Sequence, residues 1–225
     1  MTSTIDNFKI PYNTAFVVNP AAGGGYAGRV WPQIATALDN ANQKYGVYYT
    51  SMQGEGEKLA REAEKEGAEL VVAIGGDGTL REVVNGIDHQ KTLFSFIPSG
   101  TGNGFRRSCG MPGHWDQVLT GLNDWPPRLI DLGIVNESYF LNVVGVGFDA
   151  AVAEMASGKY GNVKGYMAYI AAFFEELVEF REFQAEIRGS DINLEVERTL
   201  LAVVANGTNY GGSFSIAPQA RIDDG

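Results

Sequence analysis

Residues 73–86 read AIGGDGTLREVVNG, and three glycines there surround one acid. Gly75, Gly76 and Gly78 let a backbone bend tightly and present its amides, which is how a glycine loop at a helix start holds phosphate oxygens. Asp77 lies inside that bend, where its charge repels a phosphate unless a positive ion stands between them. A divalent cation that accompanies a nucleotide supplies such an ion. The carboxylate could also orient an acceptor hydroxyl or take its proton. Phosphoryl transfer runs through a loose transition state, so positioning and charge neutralisation outweigh base strength and an ordinary carboxylate suffices. The bland reading is a β-turn capped by Asp77, but the motif ends a buried strand and opens a helix.

Two further glycine clusters follow apolar runs in the same way: GGG at 23–25 and SGTGNG at 99–104. The elements that must position them alternate. TAFVVNP (14–20), KYGVYYT (44–50), ELVVAI (69–74) and TLFSFIP (92–98) read as strands. RVWPQIATALDNA (29–41), EGEKLAREAEKEG (55–67) and TLREVVNGI (79–87) have helical spacing. ELVVAI shows little alternation, as a strand buried on both faces should. Strands and helices alternating at this spacing predict an α/β fold with a doubly wound, mostly parallel sheet, whose ligands bind at the carboxyl ends of the strands. The glycines sit at those ends.

From about Trp125-Pro126-Pro127 the texture changes to strand-like runs, interrupted by one helix near 164–180. A nucleotide-binding domain over 12–127 and a β-rich second domain over 128–225 are therefore expected. The chain stops at the turn-like IDDG, so the second domain is expected to be C-terminally truncated. In the 164–180 helix, Tyr166, Tyr169, Ile170, Phe173, Phe174, Leu177 and Val178 share one face, which reads as core or as a lining for a lipid tail.

Composition narrows the function. With 44% apolar and 20% charged residues the chain builds an ordinary core. A formal net charge of −10 argues against nucleic acid as a partner. Cys109 is the single cysteine, and His89 and His114 are too far apart to suggest zinc. No run reaches the roughly 18 apolar residues of a membrane span, and MTSTIDNFKIPYN lacks the pattern of a signal peptide. A cytoplasmic protein is the default expectation.

Two familiar motifs nearly match. Gly23 to Gly28 fits G-x-G-x-x-G, but the second strand ends in Tyr48-Tyr49-Thr50 rather than the acid that holds a ribose. The same stretch half-fits a P-loop, with Arg29 and Val30 in place of the lysine and hydroxyl. A tight turn without ligand, or a phosphate contact of another kind, remains open. Arg106 and Arg107 read as a solvated pair, with contact to a phosphate or headgroup as the minority reading.

GGDGTLREVVNG resembles the G-G-D-G-T-x-x-E-V-x-N-G signature of the diacylglycerol kinase catalytic domain family, which includes bacterial lipid kinases and sphingosine and ceramide kinases. VNPAAGGG resembles its N-P-x-x-G loop, IPSGTGNGF its P-x-G-T-x-N segment and FLNVVGVGFDAAV the start of its second domain. VVANGTNYGGSFSIAPQARIDDG resembles the later N-G-x-x-x-G-G-G…P-x-A-x-x-D-G segment. The motifs occur in order along about 200 residues.

The resemblance implies an NAD kinase- and phosphofructokinase-like N-terminal fold and an ATP- and Mg2+-dependent lipid kinase acting on a diacylglycerol-like or sphingoid hydroxyl. It implies nucleotide contacts from Asn19, Pro20, Gly23, Thr50, Gly75, Gly76, Asp77, Gly78, Thr79, Gly100, Thr101 and Asn103, with Glu82 supporting the loop. It implies a metal site from Asp77, Asp224 and the carbonyl of Arg221, and a base that is either Asp77 or an acid beyond Gly225. The lipid would be met at a membrane surface, so peripheral attachment is expected; a homodimer is open. Arg81 stands where bacterial members usually have Asn, and Gly104 where they often have Asp, an acid that sphingosine-type members also lack. A kinase of a soluble acceptor, like NAD kinase, and a non-catalytic nucleotide-binding protein are the alternatives.

Overall fold

β1 (Thr14–Val18) is buried along its whole length, and its side chains divide the interior in two. Phe16 and Val18 point into one core, Ala15 and Val17 into the other. That two-sided burial is what a central strand of a doubly wound sheet requires. A computed structural model describes residues 8–160, 163, 166–188, 193–210 and 214–225. The first residues of MTSTIDNFKIPYN, up to residue 7, lie outside the described residues, as does the GGS at 211–213 of the later glycine segment.

After β1 come α1 (Ala22–Asn40), β2 (Tyr45–Tyr49), α2 (Glu55–Lys65), β3 (Leu70–Gly75), α3 (Asp77–Gly86) and β4 (Leu93–Pro98). The four strands form one parallel sheet in the order β2-β1-β3-β4. The helical spacing of Val30, Ile34 and Leu38 puts α1 on the Phe16 face. Ala60 and Ala63 of α2, with Leu80, Val83 and Val84 of α3, cover the Val17 face. Helices thus lie on both sides, and all four strand carboxyl ends point one way, toward the glycine loops.

Two short helices follow that the sequence pattern did not suggest, α4 (Gly104–Ser108) and α5 (Trp115–Asp124). Phe105 carries α4 into the Val17 core, and Val118 and Leu119 carry α5 into the Phe16 core. The run RLIDLGIV is a strand only in β5 (Gly133–Val135), which pairs antiparallel with β6 (Ser138–Phe140). Asn85 of α3 clamps β6: its Oδ1 accepts the Tyr139 amide at 2.8 Å and its Nδ2 donates to the Tyr139 carbonyl at 2.9 Å.

The chain packs as two units, one of residues up to Asn142 together with Asn206–Gly225, the other of Val143–Ala205. In the second unit, β7 (Val143–Gly147) runs into α6 (Phe148–Ser157), so FLNVVGVGFDAAV is a strand that becomes a helix. Then come α7 (Tyr166–Glu179), β8 (Phe183–Arg188), β9 (Asn193–Thr199) and β10 (Leu201–Ala205). β8 pairs antiparallel with β9, and β10 with β7. The first unit recovers the chain for β11 (Asn209–Tyr210) and β12 (Phe214–Ser215), also antiparallel.

The apolar stripe of α7 is not core within this unit. Its small face, Ala168 and Ala172, packs on Phe148, Val152 and Ala156 of α6. Tyr169, Phe173, Phe174, Leu177 and Val178 are exposed, Val178 by 85%. Small side chains let the two helices approach closely, and of the bulky ones Phe173 meets Phe148 of α6 edge-on, with ring centroids 5.3 Å apart. The side chain of Tyr166 lies outside the described residues.

Candidate active site

The ends of β1, β2, β3 and β4 release their loops around one cavity of about 550 Å3. Its wall includes Asn19 and Gly23 after β1, Thr50 to Gln53 after β2, Gly76, Gly78, Thr79 and Glu82 after β3, and Gly100 and Thr101 after β4. Nine residues expected from the sequence are therefore brought together: Asn19, Gly23, Thr50, Gly76, Gly78, Thr79, Glu82, Gly100 and Thr101. Pro20, Gly75, Asp77 and Asn103 lie just behind this wall in sequence and shape it. Arg221 and Asp224 are elsewhere on the same unit.

The loops touch backbone to backbone, which glycine alone allows. A Cβ on Gly100 would stand 2.4 Å from the Gly76 Cα. Gly23 has a left-handed φ of 61°, and a Cβ there would stand 2.3 Å from the Ser99 carbonyl oxygen. Gly23, Gly24 and Gly25 all adopt left-handed angles, so regular helix in α1 begins only after them. The GGG cluster is a sharp turn into a helix.

Side chains lock this arrangement. Asn19 Nδ2 donates to Thr79 Oγ1 at 3.0 Å, tying the first loop to the third. Asn103, itself at φ 49°, accepts the Gly100 amide at 2.9 Å and donates to the Gly100 carbonyl at 2.8 Å. Glu82 accepts the Gly54 and Gly56 amides, holding the β2–α2 loop. Glu55 accepts the Ser51 amide, the Ser51 hydroxyl and the Met52 amide. Those donors, the Ser51 amide first, hold the exposed Glu55 carboxyl below its usual range.

Among the described residues no lysine or arginine lines the cavity, and the charged wall residue is Glu82. α3 begins at Gly76 without a capping side chain, so its first amides and the positive end of its dipole face the wall formed by Gly76, Gly78 and Thr79.

Asp77 has its own partners. Oδ2 accepts the Gly104 amide at 3.0 Å and Oδ1 the Phe105 amide at 3.1 Å. Its charge is thus partly met by the start of α4, and it is absent from the cavity wall. An ionised carboxylate has about four acceptor positions, so each oxygen keeps capacity for another ligand.

The turn at 221–225 is tied to Asp131. The Asp131 amide donates to the buried Ile222 carbonyl at 2.7 Å, and the Gly225 amide donates to Asp131 Oδ2 at 2.8 Å. Arg221 reaches Asp223, and Asp224 is exposed. Among the described residues no three His, Cys, Asp or Glu side chains converge on one point. Mg2+ needs no such cage, because it commonly binds one or two carboxylates together with substrate phosphates. Hard oxygen donors at Asp77 and the 221–225 turn suit it.

Sequence reasoning missed Ser51, Met52 and Gln53 on the cavity wall, and the role of Glu55. The spacing of Ser51 and Glu55 at a helix entry is the signal that could have found them. Arg106 donates to the Met111 carbonyl and Arg107 to the Gly102 carbonyl, closing the ends of α4. Burial pushes the Cys109 thiol up, and burial lowers the His89 imidazole. Neither group lines this cavity.

The diacylglycerol kinase catalytic domain family matches residues 13–135, and the YegS C-terminal NAD kinase beta sandwich-like domain matches residues 142–225. The chain belongs to the diacylglycerol kinase catalytic domain family. It is 31% identical to the diacylglycerol kinase of Bacillus subtilis over 217 residues, covering 93% of this chain and 70% of that protein. It is 32% identical over 201 residues to the Chromohalobacter salexigens protein named "Probable lipid kinase YegS-like", covering 86% of this chain and 64% of that one. The chain thus spans about two thirds of the length of these relatives. A crystal structure of a diacylglycerol kinase from Bacillus anthracis superposes with a TM-score of 0.72 at 25% identity, covering 96% of this chain and 72% of that chain. Among the described residues no helix is long and apolar enough to cross a membrane.

Proposed function

We propose that this chain carries the nucleotide site of an ATP- and Mg2+-dependent lipid kinase, which phosphorylates the hydroxyl of a diacylglycerol-like or sphingoid lipid. The reading rests on one observation above others: a cavity walled by three glycine loops and an uncapped helix start. A triphosphate would be held there by backbone amides, and its residual charge calls for a metal. Asn19, Pro20, Gly23, Thr50, Gly75, Gly76, Gly78, Thr79, Gly100, Thr101 and Asn103 would form or brace that site, and Glu82 would hold its β2–α2 side.

Mg2+ accompanying the nucleotide would be met by Asp77, where it would neutralise the phosphate charge, and the Arg221 carbonyl and Asp224 would hold a metal at their own turn. Asp77 takes the proton of the acceptor hydroxyl as that oxygen bonds to the γ-phosphorus; the bond from the γ-phosphorus to the bridging oxygen breaks, and ADP leaves. Residues 12–127 would carry the nucleotide and residues 128–225 the acceptor side. The lipid acceptor is the class named for the relatives, and it would be reached from a membrane periphery.

ADP release by the purified protein with Mg·ATP tests this, using diacylglycerol or sphingosine in mixed micelles. The expected result is release stimulated many-fold by one of these lipids over ATP alone. Stimulation by NAD or another soluble acceptor, with none from either lipid, would overturn the lipid assignment.

A further inference from the structure

We propose that Asn142 is a positioning residue for the Asp77 carboxylate, an inference that rests on the role given to Asp77 above. Asp77 is aimed by two backbone amides, those of Gly104 and Phe105, in the first turn of α4. That helix has five residues and no side-chain cap, so something other than its own hydrogen bonds must hold it in place. Phe105 anchors it in the core, and Asn142 ties down its last turn. Its Oδ1 accepts the Ser108 hydroxyl at 3.1 Å, and its Nδ2 donates to the Asn209 carbonyl at 2.6 Å. Its main-chain carbonyl accepts the Asn206 and Gly207 amides, both at 2.8 Å. Ser108 in turn accepts the Thr208 amide at 3.1 Å.

One side chain therefore joins α4 to the 206–209 segment, and it does this beside the Asp77 contact. A Cβ built on Gly104 would meet Asn142 Nδ2 at 3.0 Å, the Asn209 carbonyl oxygen at 3.3 Å and Asp77 Oδ2 at 3.9 Å. The Gly104 amide that grips Asp77 is thus backed by the asparagine and by the carbonyl to which the asparagine donates. Only an amide of this size serves both partners, since the Ser108 hydroxyl needs an acceptor and the Asn209 carbonyl a donor. The chain leaves this unit after Asn142 and re-enters at Asn206, so the residue also fastens the two crossings to each other.

Asn142→Ala removes both side-chain bonds. The isosteric Asn142→Asp keeps an acceptor for Ser108, loses the donor to Asn209, and serves if alanine fails to fold. Two readouts decide. Hydrogen exchange, followed by NMR, should speed up at least tenfold at the Gly104 and Phe105 amides, with β3 amides unchanged. With Mg·ATP and the lipid, kcat should fall at least tenfold while KM for ATP stays within twofold. In an Asp77→Asn background the same substitution should cost less than twofold, because the group it positions is already gone. Wild-type exchange at Gly104 and Phe105, unchanged kcat, or an undiminished penalty in the Asp77→Asn background would each overturn the inference. A wild-type protein that phosphorylates no acceptor would instead defeat the functional reading, and the exchange experiment would still decide whether Asn142 holds the Asp77 donors.

Discussion

The Glu82 carboxylate on α3 accepts the amide of Gly54, 28 positions earlier, at 2.9 Å. Its other oxygen accepts the Gly56 amide at 3.0 Å. One acid thereby sets the position of the loop whose Thr50, Ser51, Met52 and Gln53 line the cavity. Glu82→Gln keeps one acceptor oxygen, loses the charge and forfeits one of the two bonds. Hydrogen bonds to charged groups contribute about 1.5–3 kcal/mol. Calorimetric titration should show Mg·ATP bound roughly tenfold more weakly by the variant, with the melting temperature lowered by several degrees.

Gly100 and Gly78 separate fold from ligand. Gly100→Ala puts a methyl 2.4 Å from the Gly76 Cα, a clash of backbone against side chain that rotamers do not relieve. Overpacking of this kind costs about 1–3 kcal/mol, so thermal unfolding should fall by several degrees and nucleotide affinity should drop with it. Gly78 lies within α3 and a Cβ there meets nothing within 4 Å, yet the residue lines the cavity. Gly78→Ala should hold or raise the melting temperature, since alanine favours a helix by up to about 1 kcal/mol, while weakening Mg·ATP binding.

Glu55 makes the same loop sensitive to acid. Its carboxyl is held low by the Ser51 amide, the Ser51 hydroxyl and the Met52 amide. A depressed folded-state value means that the stabilisation is complete above the ordinary glutamate range, about 4.3, and is lost as pH falls through the depressed value. Amide exchange at Ser51 and Met52, corrected for intrinsic rates, should be protected at pH 6 and lose protection well below pH 4. Glu55→Gln should remove that pH dependence.

Much of the N-terminal half was legible because its signals are local. Each of β1 to β4 is an apolar run ending at a loop, and the loops carry glycines where backbones touch. The parts that were not legible depend on distant partners. α4 and α5 are short, and Phe105, Val118 and Leu119 form them by entering cores built from other elements. α6 continues an apolar strand without a break in composition, so GVGFDAAV reads as extended. The stripe on α7 reads as core or as a lining for a lipid tail; within its unit the buried helix contact is made by Ala168 and Ala172, with Phe173 at its edge. Asn142 is one polar residue in the run FLNVV, and its side-chain partners lie 34 and 67 positions away. No pattern near it in sequence marks it.

Asp77→Asn should cut transfer by several orders of magnitude, to a residual rate that single-turnover assay still resolves, and keep most nucleotide affinity. The amide offers one acceptor oxygen where the carboxylate offers two, so either Gly104 or Phe105 loses its partner. The expected cost in stability is about 1–3 kcal/mol. Chemical denaturation and single-turnover transfer with radiolabelled ATP would measure both effects.

The most direct test is a crystal structure with Mg2+ and a non-hydrolysable ATP analogue. The account predicts phosphates against the amides of Gly76 to Thr79 and of Gly100 and Thr101, with the metal between them and Asp77. Phosphates and metal bound elsewhere, with the glycine loops bare, would contradict it.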